Sequence, residues 1–187
     1  MRVVILRHTY TRNRDTARAG LRYYQMRPRG EDEPPRSLFT KEGAVSRAEA
    51  YQLLDAHQAR CYLAHRLMLS PSADEQPDDL WAFTRYVMGE LEKEKGMTLH
   101  WVAVEHHNTD HPHVHVMLCG GGEDRQGQQC EVRLDRADHT RLKEEGRDYC
   151  RAEGHERMQW EATLARAATA DAQTRDEPRG NRADHDR

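Results

Sequence analysis

No apolar run in this 187-residue chain approaches the roughly 18–20 residues that a membrane-spanning helix needs, so no membrane insertion is expected. The apolar part of the opening, Val3-Val4-Ile5-Leu6, is likewise too short for a secretory signal. Cysteine is scarce and scattered. Cys61, Cys119, Cys130 and Cys150 form no C-x-x-C pair, which excludes a disulfide framework and fits free thiols in a reducing cytoplasm. Overall basicity is missing too: the formal net charge is −3, which by itself argues against a nucleic-acid binder. With 36% hydrophobic and 33% charged residues, one lean core under a heavily charged surface is expected.

The charge distribution corrects the net value. Residues 1–30 hold eight arginines against the single acid Asp15, a local net of +7. Arginine without lysine suits planar, bidentate phosphate recognition, whereas a merely solvated face mixes both signs. Arg18, Arg22 and Arg27 are the candidates for contact with a nucleic-acid backbone.

Five histidines and an aspartate fall within His106-His107-Asn108-Thr109-Asp110-His111-Pro112-His113-Val114-His115. Their spacing carries the information. His113 and His115 alternate with Val114 and Val116, so in a strand both imidazoles point to one face. Leu99 to His106 reads as a second strand, and Asn108-Thr109-Asp110 supplies the turn between them. Antiparallel pairing sets His106 across from His113. Three imidazoles then converge at one hairpin end, with Asp110 near enough to orient one of them, as in a divalent-metal site with an open side. His107 and His111 fall on the turn. His100 lies about 20 Å away along an extended strand and is left out. His65 follows the apolar parity of Leu63, Leu67 and Leu69 and reads as a packed histidine.

Along the chain, residues 1–7 read as a strand, and Asn13 to Gln25 as a helix capped by Asn13 or Asp15. Ser37 to Thr40 reads as a short strand. Ser46-Arg47-Ala48-Glu49 resembles a capping box opening a helix to about Ala56. Arg60 to Leu69 alternates as a strand. Asp78 or Asp79 caps a helix with the stripe Leu80, Phe83, Val87 and Leu91, and Gly96 stops it. Gly120 to Gly127 reads as a flexible loop, Cys130 to Leu134 as a strand, and Asp135 as the cap of a polar helix to about Ala152. A further helical stretch is expected over 160–172. The fold class is α+β, an antiparallel β-sheet with helices packed on it. The expected organisation is a domain over residues 1–155, a C-terminal helical extension over 156–172 and a disordered tail over 173–187.

On the first helix, Ala17, Leu21 and Tyr24 form an apolar stripe toward the sheet. Tyr23 is turned about 100° away, beside Arg22. A tyrosine among arginines and near a metal can attack phosphorus and hold a phosphodiester covalently.

At this point the chain resembles a known family. The histidine segment 106–115 resembles the third motif of plasmid mobilisation relaxases, the HUH (His-hydrophobe-His) endonucleases, in the branch that contains the T-DNA border nickase. Ala17-Arg18-Ala19-Gly20-Leu21-Arg22-Tyr23 resembles that branch's first motif, a helix ending in the nucleophilic tyrosine. Arg66-Leu67-Met68-Leu69-Ser70-Pro71 and Trp101-Val102-Ala103-Val104 are similar as well, and the resemblance spans roughly residues 2–155. It implies a relaxase-like nuclease domain that nicks and rejoins single-stranded DNA at a transfer origin through a 5′-phosphotyrosyl intermediate. His106, His113 and His115 would hold a divalent ion, magnesium or manganese, and Tyr23 would be the nucleophile. Asp110 would orient a ligand or act as the tyrosine's base. Accessory mobilisation proteins and a coupling protein would be partners, and the cytoplasm the place of action. The chain departs from the pattern at Asn108, where many relatives carry aspartate. Two alternatives rest on the residues. His111-Pro112-His113-Val114-His115-Val116-Met117 satisfies the spacing of a histidine-triad nucleotide hydrolase, and a DNA- or metal-binding remnant without turnover would use the same site.

Overall fold

The computed structural model describes residues 5–26, 34–72, 76–107 and 111–175. Two compact units divide the chain, Met1–Arg151 and Ala152–Arg187. In the first, β1 (Ile5–Thr11) leads into α1 (Arg14–Met26), and β2 (Leu38–Phe39) and β3 (Ala44–Val45) precede α2 (Arg47–Ala56). Then come β4 (Ala64–Ser70), α3 (Leu80–Lys95), β5 (Trp101–His106), β6 (His113–Cys119), β7 (Gly121–Glu123), β8 (Gln129–Glu131) and α4 (Arg136–Arg175). Six strands form an antiparallel sheet in the order β1-β4-β6-β5-β2-β3, and β7 and β8 form a separate ribbon. Among the described residues, no helix is long and apolar enough to cross a membrane.

Strand parity divides the core in two. Val102, Val104, Met117 and Cys119 pack with Ala17 and Leu21 of α1 and Ala50 and Leu54 of α2. Trp101, Ala103, Val114, Val116 and Leu118 face the other way, onto Phe83, Val87 and Leu91 of α3 and Leu142 of α4. Helices thus cover both faces of the sheet, because β4, β5 and β6 carry apolar residues at odd and even positions alike.

Local signals behave as their chemistry requires. The Asn13 carboxamide oxygen accepts from Thr16 N at 2.9 Å, capping α1. The reciprocal bonds of Ser46 and Glu49 open α2. Asp79 caps α3, and Gly96 ends it in a left-handed conformation with φ 59°.

Four expectations need correction. The segment 120–127 is not a flexible loop, because Gly120, Gly121 and Gly122 are buried and β7 pairs with β8. Glycine is required there by close backbone approach: a Cβ on Gly120 would overlap the Tyr62 carbonyl, and one on Gly122 would stand 2.7 Å from Thr98 O. The helix from Arg136 does not stop near Ala152 but runs unbroken to Arg175, so residues 173–175 are helical rather than tail. Gly154 weakens such a helix by only about 1 kcal/mol and does not end it. β4 begins at Ala64, not Arg60. The first strand, expected over 1–7, extends to Thr11, and residues 1–4 and 176–187 lie outside the described residues. β3 was not foreseen; two residues carry too little periodicity to read.

Three histidines join α4, β1 and β4. His139 Nε2 meets His8 Nδ1 at 2.9 Å, His8 Nε2 meets His65 Nδ1 at 3.0 Å, and His65 Nε2 meets Val132 O at 2.9 Å. A carbonyl only accepts, so His65 carries its proton on Nε2, and the same assignment propagates to His8 and His139. His8 and His65 are then neutral, and protonating either on Nδ1 breaks a link. Burial, reinforced by His65 and His139, lowers the His8 pKa from 6.5 to about 4, and burial also lowers that of His65. The unfolded chain takes up these protons first, so the stabilisation is complete above pH 6.5 and is lost as pH falls toward about 4. The thermal midpoint of the metal-free protein should therefore drop across that window, and His8→Gln should drop less steeply. Parallel pH profiles for the two proteins would show that the chain does not couple to stability.

Candidate metal centre

β5 and β6 pair with His106 directly opposite His113, and His115 follows two residues later on the same face. The three rings form a nearly equilateral group. Their centroids lie 5.1 Å (His106–His113), 4.8 Å (His106–His115) and 5.0 Å (His113–His115) apart. One ring nitrogen from each lies within 4.8 Å of the others. His106 and His113 are buried. Their remaining nitrogens are tied to carbonyls: His106 Nε2 to Tyr24 O at 2.9 Å, and His113 Nδ1 to His111 O at 2.9 Å. Such bonds fix the tautomer, placing the lone pair on His106 Nδ1 and on His113 Nε2, as metal-binding imidazoles require. The donor set therefore fits a divalent ion. His107 stands outside the group, exposed and 3.2 Å from a Glu105 carboxylate oxygen.

The end of α1 closes over this group. Its last carbonyls have no partner within the helix. His106 takes up that of Tyr24, which also accepts from the buried Arg36 at 3.4 Å, and Gln25 O accepts from Arg36 N at 3.2 Å. The Tyr24 ring stacks on His115 with centroids 4.0 Å apart and planes 5° from parallel. Burial raises the Tyr24 pKa, opposed by the neighbouring Arg66. Tyr23 is 56% exposed, and its ring meets that of Tyr24 edge-on at 6.1 Å.

Beside His115, a cavity of about 210 Å³ is lined by Arg7, Thr9, Tyr24, Arg66 and Met68. The register explains the grouping: Arg7 is opposite Met68, Thr9 opposite Arg66, and Met68 opposite His115, so all share the histidine face. Arg7 and Arg66 were not singled out as site residues from the sequence. Their parity was readable, but the order of the strands was not.

The other candidates divide. Arg22 is exposed near the α1 end. Arg18 bonds Asp55 together with Arg14 and lies over the Tyr51 ring at 5.0 Å, so it ties α1 to α2. Arg27 and Asp110 lie outside the described residues.

Comparison with curated protein sequences finds no significant match. In fold, the chain is similar to the conjugative relaxase TrwC in a metal-bound complex with oriT DNA: TM-score 0.57, 14% identity, 81% of this chain and 70% of that one. A copper-bound TrwC complex gives a TM-score of 0.56 at 13% identity, with 83% and 71% covered. A structure described as the molecular basis of vancomycin resistance transfer in Staphylococcus aureus gives 0.51 at 11% identity, with 83% and 94% covered. A family model described as relaxase, MobA/VirD2-like, nuclease domain matches residues 42–155. That span leaves out α1 but holds the whole histidine hairpin and more than half of the sequence, and by it the chain belongs to the MobA/VirD2-like relaxases, as their nuclease domain.

Proposed function

We propose that this domain nicks and rejoins one strand of DNA at a transfer origin by metal-assisted attack of a tyrosine on phosphorus. The observation that supports the reading best is the joining of two separate pieces: the histidine group and the tyrosine-bearing end of α1, linked through His106 and the Tyr24 carbonyl. His106, His113 and His115 hold the ion. A bound divalent cation supplies Lewis acidity at the non-bridging oxygens of the scissile phosphate. Three imidazoles favour manganese or a softer ion over magnesium.

Tyr23 is the nucleophile in this reading. Its hydroxyl oxygen forms the new bond to phosphorus, the bond to the 3′-oxygen breaks, and that oxygen leaves with the electron pair and takes a proton from water to become the 3′-hydroxyl. The tyrosine proton passes to a base, a role assigned here to Asp110. Arg22 and Arg27 follow the sugar-phosphate backbone, with Arg18 adding its charge from the α1–α2 tie. Arg7 and Arg66 hold a flanking phosphate in the cavity beside His115. The TrwC structures named above contain oriT DNA, which supports a single-stranded transfer origin as the substrate class. Accessory mobilisation and coupling proteins would act with it in the cytoplasm. Family membership leaves the histidine-triad hydrolase without support.

One observation favours a second reading for the nucleophile: Tyr24, rather than Tyr23, stacks directly on a proposed ligand.

The reading is tested with 3′-labelled single-stranded oligonucleotides tiling the DNA that flanks the gene, incubated with manganese. One tile should give a label that stays with denatured protein, and a chelator should abolish it. An adduct that survives chelation removes the metal from the mechanism. No adduct on any tile leaves a binding module without turnover.

A further inference from the structure

A second histidine group lies at the opposite end of β5. His57 closes α2, His100 immediately precedes β5, and Glu123 ends β7. One ligand atom from each lies within 4.8 Å of the others. The His57 and His100 rings are stacked, centroids 3.5 Å apart and planes 14° from parallel. Nε2 of His100 is buried, makes no hydrogen bond, and stands 3.6 Å from Glu123 Oε1. Six residues of extended strand separate His100 from His106, about 20 Å, so this group is not part of the histidine hairpin end.

We propose that His57, His100 and Glu123 form a second, structural binding site for a divalent transition-metal ion of the zinc class. Backbone bonds hold all three residues in place. His57 N donates to Leu53 O at 3.2 Å, and His57 O accepts from Gly121 N at 2.8 Å. His100 O accepts from Cys119 N at 2.8 Å, and Glu123 exchanges bonds with Thr98 at 2.7 and 3.1 Å. A Cβ on Gly121 would stand 3.0 Å from His57 O, so a glycine is what lets β7 come this close to α2.

The chemistry suits the ion. A nitrogen and a carboxylate oxygen sharing a tetrahedral zinc at about 2.0–2.1 Å stand about 3.3 Å apart, close to the 3.6 Å between His100 Nε2 and Glu123 Oε1, and the His57 ring turns out of its stack to bring its own lone pair to the same point. Burial, then His57, lowers the His100 pKa, which keeps that imidazole in the neutral form a metal needs. Imidazole donors select against magnesium and calcium, and two nitrogens with one carboxylate leave a fourth position for water. An ion here would join the end of α2, the start of β5 and the β7–β8 ribbon, stabilising the fold by binding only the folded state.

The site is independent of the nicking reading, and zinc content separates the two. Tag-free full-length protein, stripped by chelation and re-equilibrated with zinc, should retain about two ions per chain, and His113→Ala and His57→Ala about one each. In the His113→Ala background, zinc should raise the melting temperature, and adding His57→Ala should remove that rise. Glu123→Gln keeps the shape of the side chain and should weaken the remaining site at least about 10-fold, whatever His57→Ala does to folding. A His113→Ala protein that retains no zinc, or a Glu123→Gln protein of unchanged affinity, overturns the proposal.

Discussion

Tyr23→Phe should eliminate the covalent protein–DNA adduct entirely while leaving DNA binding, metal content and melting temperature near those of the parent. The substitution removes one oxygen from a ring that is already 56% exposed, so it opens no cavity. Tyr24→Phe should keep the adduct, because phenylalanine still stacks on His115 and the backbone carbonyl that holds His106 is unchanged. The two substitutions separate neighbours that the structure places very differently. Tyr24 is the ring against the histidine group, with burial raising its pKa. Tyr23 projects from the same helix end beside Arg22, where a strand of DNA can reach it. Digesting the trapped adduct and sequencing the nucleotide-bearing peptide decides between them. A nucleotide on Tyr24 would mean that the ring stacked on His115 swings away to react.

His113→Ala should abolish nicking and metal retention at the hairpin end together. A Lewis acid at a transferring phosphoryl group contributes several kcal/mol, so a loss of about 10³-fold or more is expected. His113 is the first residue of β6 and pairs with His106, the last residue of β5, so the sheet should remain intact. Circular dichroism and single-strand binding check that. Nicking at the parent rate would remove this histidine from the mechanism, and loss of single-strand binding as well would point to a collapsed hairpin instead.

Several features were legible because their physics is local. The capping bonds of Asn13, Ser46 and Asp79 span three residues at most, and the side-chain types narrow each cap to one or two neighbouring candidates. Period-two alternation across 113–118, with a turn before it, is enough to bring His106 opposite His113. The misreadings arose where a residue's reason lies far away in the chain. Gly120 and Gly122 look like a flexible run until Tyr62 and Thr98 are seen against them. The tie of Arg18 to Asp55, on the next helix, is equally out of reach of the sequence.

The sequence by itself determined the histidine hairpin, the amphipathic tyrosine helix and the antiparallel α+β class, since each follows from spacing within about twenty residues. Only the tertiary structure decided which ring covers the histidine group, that Arg7 and Arg66 flank it, that His8, His65 and His139 form a chain, and that His57 and Glu123 meet at His100. Strand parity states which way a side chain points. It does not state which strand lies alongside, and in a sheet ordered β1-β4-β6-β5-β2-β3 the neighbours of a residue come from segments tens of residues away.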